Sequence, residues 1–219
     1  MMRQAGRVKL HNSGHRLSRG QGLIETALIV TLLMMVVASI VEFGFMLTAY
    51  MALQDATRNA SRYSSDGQYN YTDSIHNCAT TKDFYRQTAC LFNQELSAER
   101  PLITMTIPVD DLIISVFSVQ AAGGSLISPT VMARYPNANG WSMAEDWGMS
   151  RTHISQISTS SVNSMLAQDA PSTGFLLVEA FYTYHQKFNL PWIRLFIPTD
   201  VVMHTYSLMP LVSAEPTTP

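Results

Sequence analysis

The residues best placed to do chemistry sit at one junction, Arg16-Leu-Ser-Arg-Gly-Gln-Gly-Leu-Ile-Glu25. Arg16 and Arg19 are the last basic groups before a long apolar run, Gly20 is small and flexible, and Glu25 is a lone carboxylate in an otherwise hydrophobic segment. Those types in that order suit a chain that is inserted in a membrane, cut beside a glycine and then packed into something larger. Glu42 is a second acid in apolar surroundings. It has two readings, as a group at the outer membrane boundary or as a contact to another subunit, because its depth depends on helix tilt.

Outside the junction the reactive residues are sparse. Cys78 and Cys90 are the two cysteines. An exported body favours their pairing, and such a bridge over a short loop stabilises by roughly 2–4 kcal/mol; two free thiols are the plain alternative. Of the six histidines, only His11 and His15 have the four-residue spacing of a metal-binding helix, and they lie in the basic leader. His76 and Cys78 with Cys90 would make three ligands of a metal site that lacks a fourth, so no metal or other cofactor is expected. Asp110-Asp111 and Glu145-Asp146 read as solvated turns rather than as a carboxylate pair or calcium site. Trp141 and Trp147 flank the second acidic pair and either fix their loop or meet a partner. Nucleophile-elbow, phosphate-loop and dinucleotide motifs are missing. No catalytic residue is nominated, and the chain does not read as an enzyme.

The elements that position the junction follow from composition. The 219 residues are 47% hydrophobic and only 14% charged. The net charge of -2 hides an asymmetry: Arg3, Arg7, Lys9, Arg16 and Arg19 face no acid in residues 1–20, leaving nine basic groups against all 16 acids, a net of -7, in the remainder. An acidic body argues against nucleic acid as a partner. From Leu23 to Val41 only Glu25 interrupts the apolar run, and Phe43 to Leu53 is again mostly apolar. A spanning helix needs roughly 20 such residues, which sets a span at about residues 23–47. With every early cation on its N-terminal side, the N-terminus is predicted in the cytoplasm and the body outside, with lipid as a partner. A plain secretory signal would have a shorter apolar core followed by a small-residue cut site.

The reading divides the chain into a basic leader (1–20, removed), one long helix (21–64), an extracytoplasmic α+β head (65–213) and a disordered tail (214–219). No proline occurs before Pro101, and the helix would be roughly 60 Å long, too long for a bilayer alone. Ala49, Ala52, Ala56 and Ala60 form one small-residue face of the kind that lets helices approach closely. A second helix is predicted over Thr81–Ala98, with Phe84, Tyr85, Ala89, Leu91, Phe92 and Leu96 on its apolar side and Thr80 or Thr81 as its cap. Leu102–Pro108, Leu112–Gln120, Phe175–His185 and Asp200–Pro210 read as strands. Residues 128–150 read as a long ordered loop, and Thr152–Ala167 as helical.

The junction resembles a prepilin peptidase site: glycine, cut, four residues, glutamate, then a long hydrophobic helix. Arg19-Gly-Gln-Gly-Leu-Ile-Glu-Thr-Ala-Leu-Ile-Val, Ile40-Val-Glu-Phe-Gly and Ala52-Leu-Gln-Asp-Ala-Thr-Arg-Asn-Ala-Ser-Arg-Tyr together are more specifically similar to TadE-like pseudopilins, minor components of the Tad (tight adherence) pilus machinery. The match covers about residues 19–64; Thr26 stands where the family often has an aromatic residue. A late strand pair, 175–185 with 200–210, also fits. The resemblance implies cleavage after Gly20 by a prepilin peptidase, Gln21 as the new N-terminus and Glu25 as the fifth mature residue. It also implies pairing of Glu25 with another subunit's α-amino group, where the residue-level alternative is a snorkelling acid. The implied partners are that peptidase, other pilin or pseudopilin subunits and the inner-membrane assembly platform. The expected function is a minor pilin that helps assemble, prime or cap a Tad-type pilus or secretion filament. A type II secretion pseudopilin shares the junction, and a membrane-anchored binding or enzymatic domain is the rival from another class.

Overall fold

The computed structural model describes residues 17–66, 83–99, 103–123, 128–170, 173–188, 191, 192, 194 and 198–211. One helix dominates. α1 runs over Leu17–Ser65, and its 49 residues at 1.5 Å each give a rod of about 74 Å. No proline interrupts it, and in its exposed first half hydroxyls return to carbonyls one turn back: Thr26 to Gly22 at 2.8 Å, Thr31 to Ala27 at 2.8 Å and Ser39 to Met35 at 2.9 Å. Such internal satisfaction is what a helix in lipid requires.

The rest is an α+β head. α2 (Phe84–Glu99) lies along the distal half of α1. It starts later than predicted, and its entry is fixed by Asp83, whose carboxylate accepts from the Tyr85 backbone N–H at 3.2 Å. The predicted caps Thr80 and Thr81 lie outside the described residues. β1 (Asp111–Gln120), β2 (Thr130–Tyr135), β3 (Trp141–Ser142), β4 (Gly174–His185) and β5 (Asp200–Pro210) form one antiparallel sheet in the order β2-β1-β4-β5, with β3 also on β1. Two short helices, α3 (Met143–Asp146) and α4 (Thr159–Met165), interrupt the connections.

The period-two alternation of the strands builds two cores. Leu112, Ile114 and Val116 of β1, Leu176, Val178, Ala180, Tyr182 and Tyr184 of β4, and Met203 of β5 face α1 and α2. They meet Leu53, Ala56 and Ala60 of α1 and Phe92 and Leu96 of α2. Phe117, Val119, Val131 and Leu177 point the other way and are covered by Val162, Ile157 and Leu166. The sheet is therefore a middle layer, with helices on one side and the 157–166 segment on the other.

Several expectations change here. Residues 103–106 are not a strand and residues 107–109 turn into β1, because Asp110 pins that turn by accepting from the Thr106 backbone N–H at 2.7 Å. The stretch read as a loop over 128–150 contains β2, β3 and α3, since β1 offers a free edge for them to pair with. The predicted helix over Thr152–Ala167 shrinks to α4, capped by Ser158, which accepts from the Ser161 N–H. Asp110 and Asp111 are not solvated: both are buried. Asp110 also accepts from the Thr183 N–H at 2.7 Å, and Asp111 accepts from the Ser142 hydroxyl at 2.6 Å and the Ala144 N–H at 3.1 Å. Burial raises the Asp111 carboxyl above the usual range despite those donors.

Candidate assembly site

α1 has two halves of opposite character. Residues 20–34 are exposed throughout, and Leu23, Ile24, Leu28, Ile29, Leu32 and Leu33 are among its exposed apolar side chains. This stretch is unburied, and the helix is long and apolar enough to cross a membrane. From Met35 onward the head begins to cover it, and by Ala49 the inner face is closed. One continuous helix is thus bare and apolar at one end and a core element at the other.

The residues predicted for processing, Gly20 and Gln21, lie on the bare half. The helix passes through Gly20 and Gln21 without a break, and a methyl group added at Gly20 or Gly22 would meet nothing within 4 Å. Glu25 is exposed, one turn beyond Gln21. Leader residues 1–16 lie outside the described residues, as do His11 and His15.

Glu42 is the junction between the two halves. Its side chain is only 2% exposed, because the head closes over it. The Tyr184 hydroxyl donates to Oε1 at 2.7 Å, the Lys187 backbone N–H to Oε1 at 2.8 Å, and the Phe188 N–H to Oε2 at 3.0 Å. Three donors on one carboxylate is the arrangement that makes a buried charge tolerable. Burial, then the hydrogen bond to Glu42, pushes the Tyr184 hydroxyl well above the usual tyrosine range. The Glu42 oxygens thus face this chain's own head, so any part they play in assembly passes through the placement of that head. Tyr184, Lys187 and Phe188 were missed by sequence reasoning. The available signal was Glu42 itself, since an acid inside an apolar helix demands donors, but nothing in the spacing points 142 residues ahead.

The alanine face packs inside the chain. Ala52, Ala56 and Ala60 let β5 and α2 approach α1, and hydroxyls bridge the gap: Thr57 with Thr205 at 3.0 Å, Ser61 to Ser207 at 2.7 Å, and Thr88 to Ser64 at 2.8 Å. The small residues admit neighbours as expected, but the neighbours are a strand and a helix of the same head.

Cys90 is half-buried on α2 and not a free thiol; Cys78 lies outside the described residues, as does His76. Among the described residues no group of three His, Cys, Asp or Glu side chains could hold a metal. Glu145 and Asp146 are held by cations, Arg151 at 2.7 Å and Arg86 at 2.8 Å. Trp141 stacks near Tyr85 with ring centroids 6.3 Å apart, while Trp147 is 58% exposed at the rim of the cleft beside α2.

The fold is thus a long apolar N-terminal helix whose far half is the spine of an antiparallel α+β head. Residues 20–62 match the family model described as TadE-like protein, a segment that starts at Gly20 and ends in the buried half of α1. The similarity is to that helix, 43 of the 219 residues. No curated protein and no solved structure matches the chain.

Proposed function

We propose that the chain is a minor pilin or pseudopilin that helps assemble, prime or cap a Tad-type filament. A prepilin peptidase cuts after Gly20, removing the 1–20 leader. The span then holds the subunit in the inner membrane, with the N-terminus cytoplasmic and the head outside. The new Gln21 amine and Glu25 supply opposite charges for subunit-to-subunit pairing within the apolar layer, together with the assembly platform. A disulfide between Cys78 and Cys90 closes the start of the head. The subunit does structural work and needs no catalytic residue.

The observation that carries this reading is the placement of Glu25: five residues past Gly20, exposed on a bare apolar helix, inside the segment that matches the TadE-like family. Among the described residues no hydrogen bond or ion pair ties it to the head. A simple membrane anchor has no need of an acid there, where insertion at full depth costs roughly 2.5–3.5 kcal/mol.

Mass spectrometry of the membrane-extracted chain tests the cut. Gln21, free, methylated or cyclised, is expected as the first residue, and Gly20→Ala is expected to leave the leader attached. Alanine fits at position 20 without contact, so a processing defect there is not a folding defect. A mature chain starting at Met1, or one cut near Ala52, would overturn the reading.

A further inference from the structure

The segment after β4 returns to the helix at the level of its bare half. Lys187 and Phe188 are tied by their N–H groups to Glu42, and the Phe188 ring rests 6.1 Å from that of Phe45. Further on, Trp192 faces Leu32, Met35, Val36, Ser39 and Ile40 across a cleft of about 310 Å³ lined almost wholly by apolar atoms. Those residues precede Glu42 by two to ten positions, or about 3–15 Å along the axis. Gly20–Val41 comprises 22 residues, or about 33 Å. That length matches a hydrocarbon core of about 30 Å. A bilayer that covers this stretch therefore reaches the level of Trp192.

We propose that Lys187, Phe188, Trp192 and Arg194 form a second membrane-contacting surface, with Trp192 sunk beside α1 in the outer leaflet and acyl chains filling the cleft between them. The proposal rests on the reading that α1 spans the bilayer. Lipid suits the cleft because its lining is continuous with the lipid-facing surface of the span. The side chains fit the same depth. Phe188 is 46% exposed, and an indole belongs at the apolar–polar boundary. Lys187 and Arg194 are exposed cations on either side of Trp192 in sequence, placed to reach headgroups while their stems stay in the apolar layer. The tie to Glu42 fixes this depth, so the head is held against the membrane surface rather than raised above it.

Brominated lipids test this. The full chain carrying Trp141→Phe and Trp147→Phe, with Trp192 as its sole tryptophan, is reconstituted in phosphatidylcholine–phosphatidylglycerol vesicles with bromines near the glycerol end or near the methyl end of the acyl chains. Trp192 is expected to lose about half its emission to the glycerol-end bromines and less to the methyl-end ones. A companion chain with Trp141, Trp147 and Trp192 all changed to Phe and Leu28→Trp reports on the span, with stronger quenching from the methyl end. If Leu28→Trp is quenched and Trp192 is quenched only by aqueous acrylamide, the loop lies in water: the proposal falls and the span stands. Shielding of Trp192 from both lipid bromines and acrylamide overturns it in favour of a protein contact in the cleft. If neither tryptophan meets bromine, the spanning reading falls with it. Far-ultraviolet circular dichroism of both chains confirms that the head is folded.

Discussion

The Tyr184 hydroxyl donates to Glu42 at 2.7 Å, and this bond joins the end of β4 to the point where α1 passes from bare to covered. Two backbone N–H groups complete the site. Because all three donors serve one carboxylate, removing the acceptor is worse than removing one donor. Tyr184→Phe is expected to cost about 1.5–3 kcal/mol, the value of a hydrogen bond to a charged group. Glu42→Ala is expected to cost more, since it orphans a hydroxyl and two amides at once. Thermal unfolding in detergent measures both. Equal melting temperatures for Glu42→Ala and the unaltered chain would show that the tie does not hold the head.

Asp111 sets an acid–base signature. Its folded-state carboxyl lies above the ordinary value of 3.8 because it is buried. The folded chain therefore holds a proton that the unfolded chain has released, so stability is full below pH 3.8 and falls as pH rises through the folded-state value. Asp111→Asn, which keeps an acceptor for the Leu112 and Ala144 N–H groups, is expected to flatten that part of the stability–pH profile. Denaturant unfolding at a series of pH values reads the slope. An unchanged slope in the variant would assign the effect to other carboxylates.

The parts legible in the sequence were those with long-range periodicity. The apolar run and the alanine spacing specify α1, and the aromatic and β-branched runs of β4 and β5 specify a paired edge. β2 and β3 were not legible, because Pro129, Pro136 and Gly140 read as loop punctuation and the strands are short. Their pairing is decided by β1, far away in sequence. Gly140 shows the point: its φ of +78° and the close approach of Ile114 and Ser115 leave no room for a Cβ, a constraint that exists only once β3 lies on β1. Asp110 and Asp111 failed for a related reason. Adjacent charges normally signal a solvated turn, and their donors at Thr106, Ser142, Ala144 and Thr183 come mostly from other elements. For Glu25 the sequence carried more than the fold does, because its proposed partner lies on another subunit.

The hydroxyl bridge between α1 and β5 couples two elements through buried side chains. Thr57→Val leaves Thr205 facing a methyl group, and Thr205→Val does the converse; each is expected to cost about 1–3 kcal/mol. The double variant removes both polar groups while keeping their shape, so it is expected to be less destabilised than the two single variants added together. Additive costs would show that the hydroxyls, 3.0 Å apart, contribute independently.

Ala56 separates packing within the chain from packing between subunits. It is fully buried where β5 crosses α1. Ala56→Leu adds side-chain volume to a closed interface and is expected to destabilise the isolated head–helix unit by about 1–3 kcal/mol or more. A normally stable Ala56→Leu subunit that fails only in filaments would place this face against a neighbour instead.

Glu25 and Glu42 are both acids on α1, yet the fold predicts opposite phenotypes. Glu42 is engaged by the head, so its loss is felt by the single subunit. Glu25 stands exposed on the bare half, and α1 returns its own hydroxyls to its own carbonyls around it. Glu25→Ala is therefore expected to leave cleavage after Gly20 and the melting temperature of the head unchanged. The loss appears only when subunits assemble, since the partner proposed for this carboxylate is the Gln21 amine of another copy or of a related subunit. Quantifying the chain in sheared filaments against the membrane fraction measures this. Normal incorporation of Glu25→Ala would remove the pairing role, and a lowered melting temperature would mean that the bare half touches the head.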